Sequence, residues 1–267
     1  KGVDLLIIYN HTKIDMLFLE KLKNIVEMEK VVAENKGCIA TLKEAKKMGF
    51  SDKYIGQLWG MSEAEMFELR KKEGVFPVYK IIDSCAGEID TYVPYFYSTY
   101  EAENESVRSD RKKILVLGSG PIRIGQGVEF DYSTVHAIWT IKEAGYEAII
   151  INNNPETVST DYTISDKLYF EPLTVEDVMN VVELEQPEGI VVSLGGQTAI
   201  NLAEPLADLG VKIIGTGIQA INNAEDRKCF ERIMNEVGIP QPKAKAVTDI
   251  ESGVEAANNI GYPVLVR

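Results

Sequence analysis

Lys113–Asp131 reads KILVLGSGPIRIGQGVEFD, an apolar strand that runs into a glycine-crowded bend and re-emerges as a helix. The stretch resembles a nucleotide-binding loop and fails two spacing tests. A dinucleotide fingerprint, G-x-G-x-x-G, needs a third glycine where Arg123 stands, and the next glycine arrives only at Gly125. A phosphate-binding P-loop needs Lys and then Ser or Thr after its second glycine, but Gly125 is followed by Gln126 and Gly127. The following strand, around Ala148 to Ile151, ends in Asn152, Asn153 and Asn154 rather than in an acid for a ribose hydroxyl. The bend is that of an α/β sheet with another purpose.

Toward the C-terminus strands and helices alternate. Strands are expected near 113–117, 148–151, 167–170, 189–194 and 211–214, with helices near 129–144, 174–186 and 197–208. That order predicts a parallel sheet with right-handed crossovers. GIVVSLG and VKIIGTG are apolar without alternation, as strands covered by helices on both faces must be. From Ala224 a helix, AEDRKCFERIMNEVG, leads through IPQP to an expected strand, a further helix and the apolar strand VLVR.

Toward the N-terminus the periodicity changes. Between Lys13 and Lys72 it is helical, and Phe18, Leu22, Ile25 and Val32 share one face of a long helix. Thr41 with Glu44 and Ser62 with Glu65 have the spacing of a reciprocal helix cap, and Gly49, Gly60 and Gly74 can close successive helices. From Asp83 to Arg111 no period survives. Tyr92, Tyr95, Phe96, Tyr97 and Tyr100 crowd this connector, and are expected to pack because exposed rings would form a sticky patch.

Composition removes several function classes. The 267 residues are 45% hydrophobic, as in folded proteins, and 41 acidic against 28 basic residues give a net charge of −13. That charge argues against nucleic acid and anionic membrane as partners. Residues 51–72 could form a helix-turn-helix, but Glu63, Glu65 and Glu68 on the would-be recognition helix would repel phosphate. No apolar run approaches the roughly 18 residues of a membrane span, and no signal-peptide order is present, so a cytoplasmic location is expected. Cys38, Cys85 and Cys229 form no C-x-x-C pair, which fits reduced thiols and no zinc site. His11 and His136 are too few for a triad or a histidine metal site.

GSGPIRIGQGVEFDYS, NNNPETVSTDY, LYFEPLTVEDV, GGQTAINLA, AEDR and GYPVLVR together resemble the large subunit of carbamoyl phosphate synthetase over residues 111–267. YKIIDSCAGE and YFYSTYE resemble the end of that subunit's oligomerisation domain. The resemblance implies an α/β chain with an all-α N-terminal domain: a helical oligomerisation domain over 1–110, a Rossmann-like pre-ATP-grasp sheet over 111–223, and the truncated start of an ATP-grasp domain over 224–267. NPETVSTDY, with Glu156, is nearer to the second, carbamate-phosphorylating half than to the first, whose counterpart reads closer to NPATIMTDP.

By the same resemblance the parent is an ATP-dependent ligase that uses bicarbonate, glutamine-derived ammonia and two ATP with Mg or Mn. Its partners are a small glutaminase subunit and further copies of itself, and its product serves arginine or pyrimidine synthesis. Gly127, Glu129 and Glu156 correspond to positions lining a passage for carbamate, and Arg267 to an arginine on nucleotide phosphate. No catalytic residue, no metal ligand and no bound cofactor are expected in this stretch, and alone it is expected to be inactive.

Plainer readings stand beside these. Glu129 can be a helix-start acid, Gly127 a turn residue, the Asn152–Thr160 loop a turn whose asparagines bond their own backbone, and Gly195-Gly196-Gln197-Thr198 a tight turn rather than an anion site. The chain as a whole can be a non-catalytic assembly module or another nucleotide-binding α/β domain.

Overall fold

A computed structural model describes residues 2–83, 87–88, 93–121 and 127–266. The chain forms two compact units, Lys1–Gly215 and Thr216–Arg267.

The first unit begins with five helices: α1 (Leu5–Thr12), α2 (Met16–Glu34), α3 (Ile39–Lys47), α4 (Asp52–Trp59) and α5 (Glu63–Lys72). Val32, Leu42, Ala45, Phe50, Ile55, Trp59 and Met66 pack into their core, and the Trp59 indole donates to the Val32 carbonyl at 2.7 Å. Ser62 and Glu65 make the reciprocal cap of α5. The Thr41–Glu44 cap does not form. Cys38 precedes α3 as its cap, which places Thr41 inside the helix, and Glu44 pairs instead with Lys47 at 3.1 Å. Gly49, Gly60 and Gly74 all take positive φ at helix ends, the conformation glycine adopts at least cost. The face of α2 is not buried as its period suggests: Val32 is enclosed, but Phe18, Leu22 and Ile25 are exposed.

Six strands follow: β1 (Val78–Ile81), β2 (Tyr95–Thr99), β3 (Lys113–Leu117), β4 (Glu147–Ile151), β5 (Lys167–Tyr169) and β6 (Ile190–Val191). Their order is β1-β2-β5-β4-β3-β6; only β1–β2 is antiparallel. Helices α6 (Gly127–Glu143) and α7 (Val175–Glu185) join the parallel strands. Val116, Ala148, Ile150 and Leu168 on the sheet meet Val135, Ile138 and Ile141 of α6 in one core.

Four expectations change. The aromatic connector contributes β2, which continues the sheet beyond β5, with Phe96 stacked on Tyr169 and Tyr95 edge-on to Phe170. The strand expected over 189–194 shrinks to Ile190–Val191, and that over 211–214 to one parallel bridge, Ile190 with Ile213. The helix expected over 197–208 is two, α8 (Gly196–Ile200) and α9 (Ala203–Asp208). Pro205 accounts for the break, because in a continuous helix its ring would strike the carbonyl four residues earlier. In the second unit α10 (Ile218–Glu225), α11 (Arg227–Glu236) and α12 (Ile250–Ile260) are helical, but neither 241–247 nor 263–266 is a strand. Among the described residues of that unit no neighbouring strand offers a hydrogen-bond ladder to hold either segment.

Candidate functional site

β3 lies between β4 and β6, so the chain leaves it first to one side and later to the other. Such a reversal opens a crevice at the carboxyl ends of the strands, the usual ligand position in an open α/β sheet. Here three turns converge: the bend after β3, the loop after β4 and the Gly195–Gly196 turn after β6.

The glycines of these turns admit protein atoms. A Cβ on Gly118 would lie 2.6 Å from the Asn152 side-chain carbon, and one on Gly195 would overlap the Gly118 carbonyl. Gly196, at φ +62°, meets the Phe130 ring, 3.0 Å from where its Cβ would stand. Asn152 is 1% exposed, and its Oδ1 accepts from the Gly120 N–H at 3.0 Å. That N–H is one a pyrophosphate would need, and it is already engaged. The Gly195–Gly196 turn is likewise explained by close packing, and α8 after it is a single short helical segment.

Gly127 opens α6 and Glu129 sits exposed in its first turn, where a carboxylate complements the helix dipole. Two residues further on, Asp131 accepts from the Val158 N–H at 2.8 Å and from the Ser159 N–H at 2.9 Å. This clip holds the loop after β4 beside the start of α6. Asn154 Oδ1 accepts from the Glu156 N–H at 3.1 Å, the local backbone bond expected of asparagine in a turn, and its amide also reaches the Gly120 carbonyl at 3.4 Å. Glu156 is exposed, and among the described residues neither its carboxylate nor that of Glu129 has a partner. Asp131 was not singled out in the sequence. Nothing in DYS marks an acid that bonds to a loop 27 residues away. Arg123 and Arg267 lie outside the described residues.

Two acids, Glu171 buried and Asp177 partly buried, stand near the same edge of the sheet, beyond β5. Glu171 follows that strand and accepts from the Ser98 N–H and, at 2.8 Å, from its hydroxyl. Burial, aided by the charge of Asp177, pushes its carboxyl up to about 7. Asp177, in the first turn of α7, is pushed up to about 6, chiefly by burial. At the opposite edge Glu185 is fully buried between Lys113 at 2.7 Å and Lys167 at 2.6 Å, and the Tyr169 hydroxyl donates to it. Burial opposes its charge, but these donors prevail and hold the carboxyl below the ordinary range.

The described residues contain no group of three or more His, Cys, Asp or Glu side chains able to hold a metal ion. What the arrangement offers is close packing at Gly118, Gly120, Gly195 and Gly196, with two exposed carboxylates beside it.

Comparison with known proteins gives three domain matches in chain order: the carbamoyl-phosphate synthetase large-chain oligomerisation domain over 1–74, the carbamoyl phosphate synthase preATP-grasp domain over 110–223, and the carbamoyl-phosphate synthase L-chain ATP-binding domain over 226–267. Among solved structures, the biotin carboxylase domain of Hydrogenobacter thermophilus 2-oxoglutarate carboxylase is 21% identical, with TM-score 0.44, over 58% of this chain and 34% of that one. Rhizobium etli pyruvate carboxylase is 16% identical, with TM-score 0.40, over 58% of this chain and 14% of that one. The chain spans about a third of the length of the first of these carboxylase structures. With three consecutive domains of one polypeptide matched in their order, the chain belongs to the carbamoyl phosphate synthetase large-chain family.

Proposed function

We propose that the chain is part of the large subunit of a glutamine-dependent carbamoyl phosphate synthetase, in the half that phosphorylates carbamate. The observation that carries this reading is the close packing at the described start of the bend after β3: Asn152 engages the Gly120 N–H that a pyrophosphate would use, while Asp131 fastens the Glu156 loop against α6. A wall, rather than a coenzyme cradle, suits an intermediate that must be kept from water. Carbamate and carboxyphosphate hydrolyse in solvent, so an enclosed path suppresses the side reaction. Gly127, Glu129 and Glu156 would line that path, glycine letting the backbone approach the passing solute.

ATP with Mg or Mn supplies the phosphoryl group in this reading. Arg267 would contact nucleotide phosphate, a task for which the guanidinium fork is suited. The remaining assignments are a small glutaminase subunit as ammonia source, a cytoplasmic location, and a product for arginine or pyrimidine synthesis.

The test replaces Glu156 with Trp in the full-length enzyme and compares partial with overall reactions. Overall synthesis is expected to fall about tenfold or more, a barrier of about 1.4 kcal/mol, with bicarbonate-dependent ATP hydrolysis at the other half retained. Unchanged synthesis would remove the passage from this loop. Self-association through the helical segment is supported by the apolar side chains that α1 and α2 leave exposed, Leu6, Ile7, Phe18 and Leu22 among them. Leu22→Glu should lower the sedimenting mass of the chain, and an unaltered oligomer would place the interface elsewhere.

A further inference from the structure

Away from the carboxyl edge, α4 and α5 of the helical segment face α7, α9 and the Asn201–Leu202 turn before α9 across a groove of about 440 Å³. That volume falls within the range of roughly 300–1,000 Å³ in which small-ligand sites lie. Its floor is apolar, formed by Phe67, Met179 and Leu202, with Leu209 beside them. One wall is fixed by buried ions. Glu176 accepts from Lys46 and from the Asp52 N–H at 2.6 Å, and Asp52 in turn binds Arg70 at 2.7 Å. Two anions and two cations cancel there, so the charge of the groove is decided at its rim.

The rim is acidic. Glu63 lies in the first turn of α5 and Asp208 ends α9, and neither stands in an ion pair among the described residues. Lys53 is the one cation among the lining residues, against these two carboxylates. Burial and the nearby charge of Glu176 raise the Glu63 carboxyl, as expected of an acid in a field that a further cation would relieve. The carbonyl end of α9 favours the same sign. An anion would be repelled, and a neutral ligand would gain nothing from the two carboxylates.

We infer that this groove binds a small organic cation, an ammonium or guanidinium on a short aliphatic stem. The stem lies over Met179 and Leu202, and the head meets Glu63 and Asp208. The inference is independent of the passage and of carbamate chemistry. An occupant there touches both the helical segment and the helices of the sheet, and so stabilises their seam by binding only the folded unit.

The probe is agmatine, titrated calorimetrically into the whole chain at low salt, with 1,4-butanediol as the uncharged control of equal stem length. Saturable one-to-one binding of agmatine and none of the diol is expected. The double variant Glu63→Gln, Asp208→Asn should weaken binding by about tenfold or more, or about 1.4 kcal/mol. Ala64→Phe, which fills the groove from its exposed side, should abolish binding while near-ultraviolet circular dichroism stays unchanged. Absence of saturation at millimolar agmatine, equal binding of the diol, or undiminished affinity in the double variant would each overturn the assignment.

Discussion

At the amino ends of β3 and β5 the sheet buries Lys113 and Lys167 against Glu185, whereas at the carboxyl ends of β3 and β4 it buries the neutral Asn152 against glycine. The first edge gains its order from charges that must all be matched. The second gains it from close backbone approach and short hydrogen bonds, which leaves the carboxylates of Glu129 and Glu156 at the surface. A buried ion cluster tolerates no missing member, because each charge left over has lost its water. A neutral turn packed on glycine carries no such penalty, so surface acids beside it can change without threatening the fold. Positions that answer to stability and positions open to function therefore sit at opposite ends of the same strands.

Removing one member of the amino-edge cluster is the hardest way to break this contrast. Glu185→Ala removes the only ion pair of buried Lys167 among the described residues and leaves Lys113 only its longer contact to Glu147 at 3.7 Å, and is expected to cost about 3–5 kcal/mol of unfolding free energy, read from urea denaturation. Should the alanine variant not accumulate, Glu185→Gln, which keeps the shape and some acceptors, should still lower the midpoint substantially. Glu156→Ala at the other edge should stay within about 0.5 kcal/mol. Equal losses at Glu185 and Glu156 would erase the distinction.

The sequence carried the sheet's centre well. Unbroken apolar runs locate β3 and β4, and the failed glycine spacings already pointed away from a dinucleotide before Asn152 was seen to engage the Gly120 N–H. It carried edges poorly. β2 is short and aromatic, lies in a stretch without period, and becomes a strand because β1 and β5 flank it, and the β5 pairing is a nonlocal fact. The break between α8 and α9 was readable from Pro205. At the candidate site, Glu129 as a helix-start acid and Asn154 as a turn residue follow from local chemistry. Asp131 does not, since its partners Val158 and Ser159 reach it only through the fold. The exposed face of α2 shows the same limit: helical period reveals which side chains share a face but not what, if anything, covers it.

Acidity offers a finer probe of the two edges, because their carboxyls are shifted in opposite directions. Glu171 and Asp177, raised to about 7 and about 6, hold protons in the folded state that the unfolded chain releases in the ordinary carboxylate range. Their contribution is fully present at low pH and is lost as pH rises through those two values. Glu185, held low by Lys113, Lys167 and Tyr169, behaves inversely, its contribution vanishing only as pH falls below the ordinary range. Between pH 5 and pH 8 Glu171 and Asp177 give up their protons in the folded chain, so their share of the stability is expected to decline across that window by on the order of 2 kcal/mol. Glu171→Gln keeps an acceptor for Ser98 and removes the titration, which should flatten most of the slope in urea midpoints measured at both pH values. An unchanged slope in that variant would mean that Glu171 ionises without protest in the folded chain, and the opposed behaviour of the two edges would then rest on Glu185 alone.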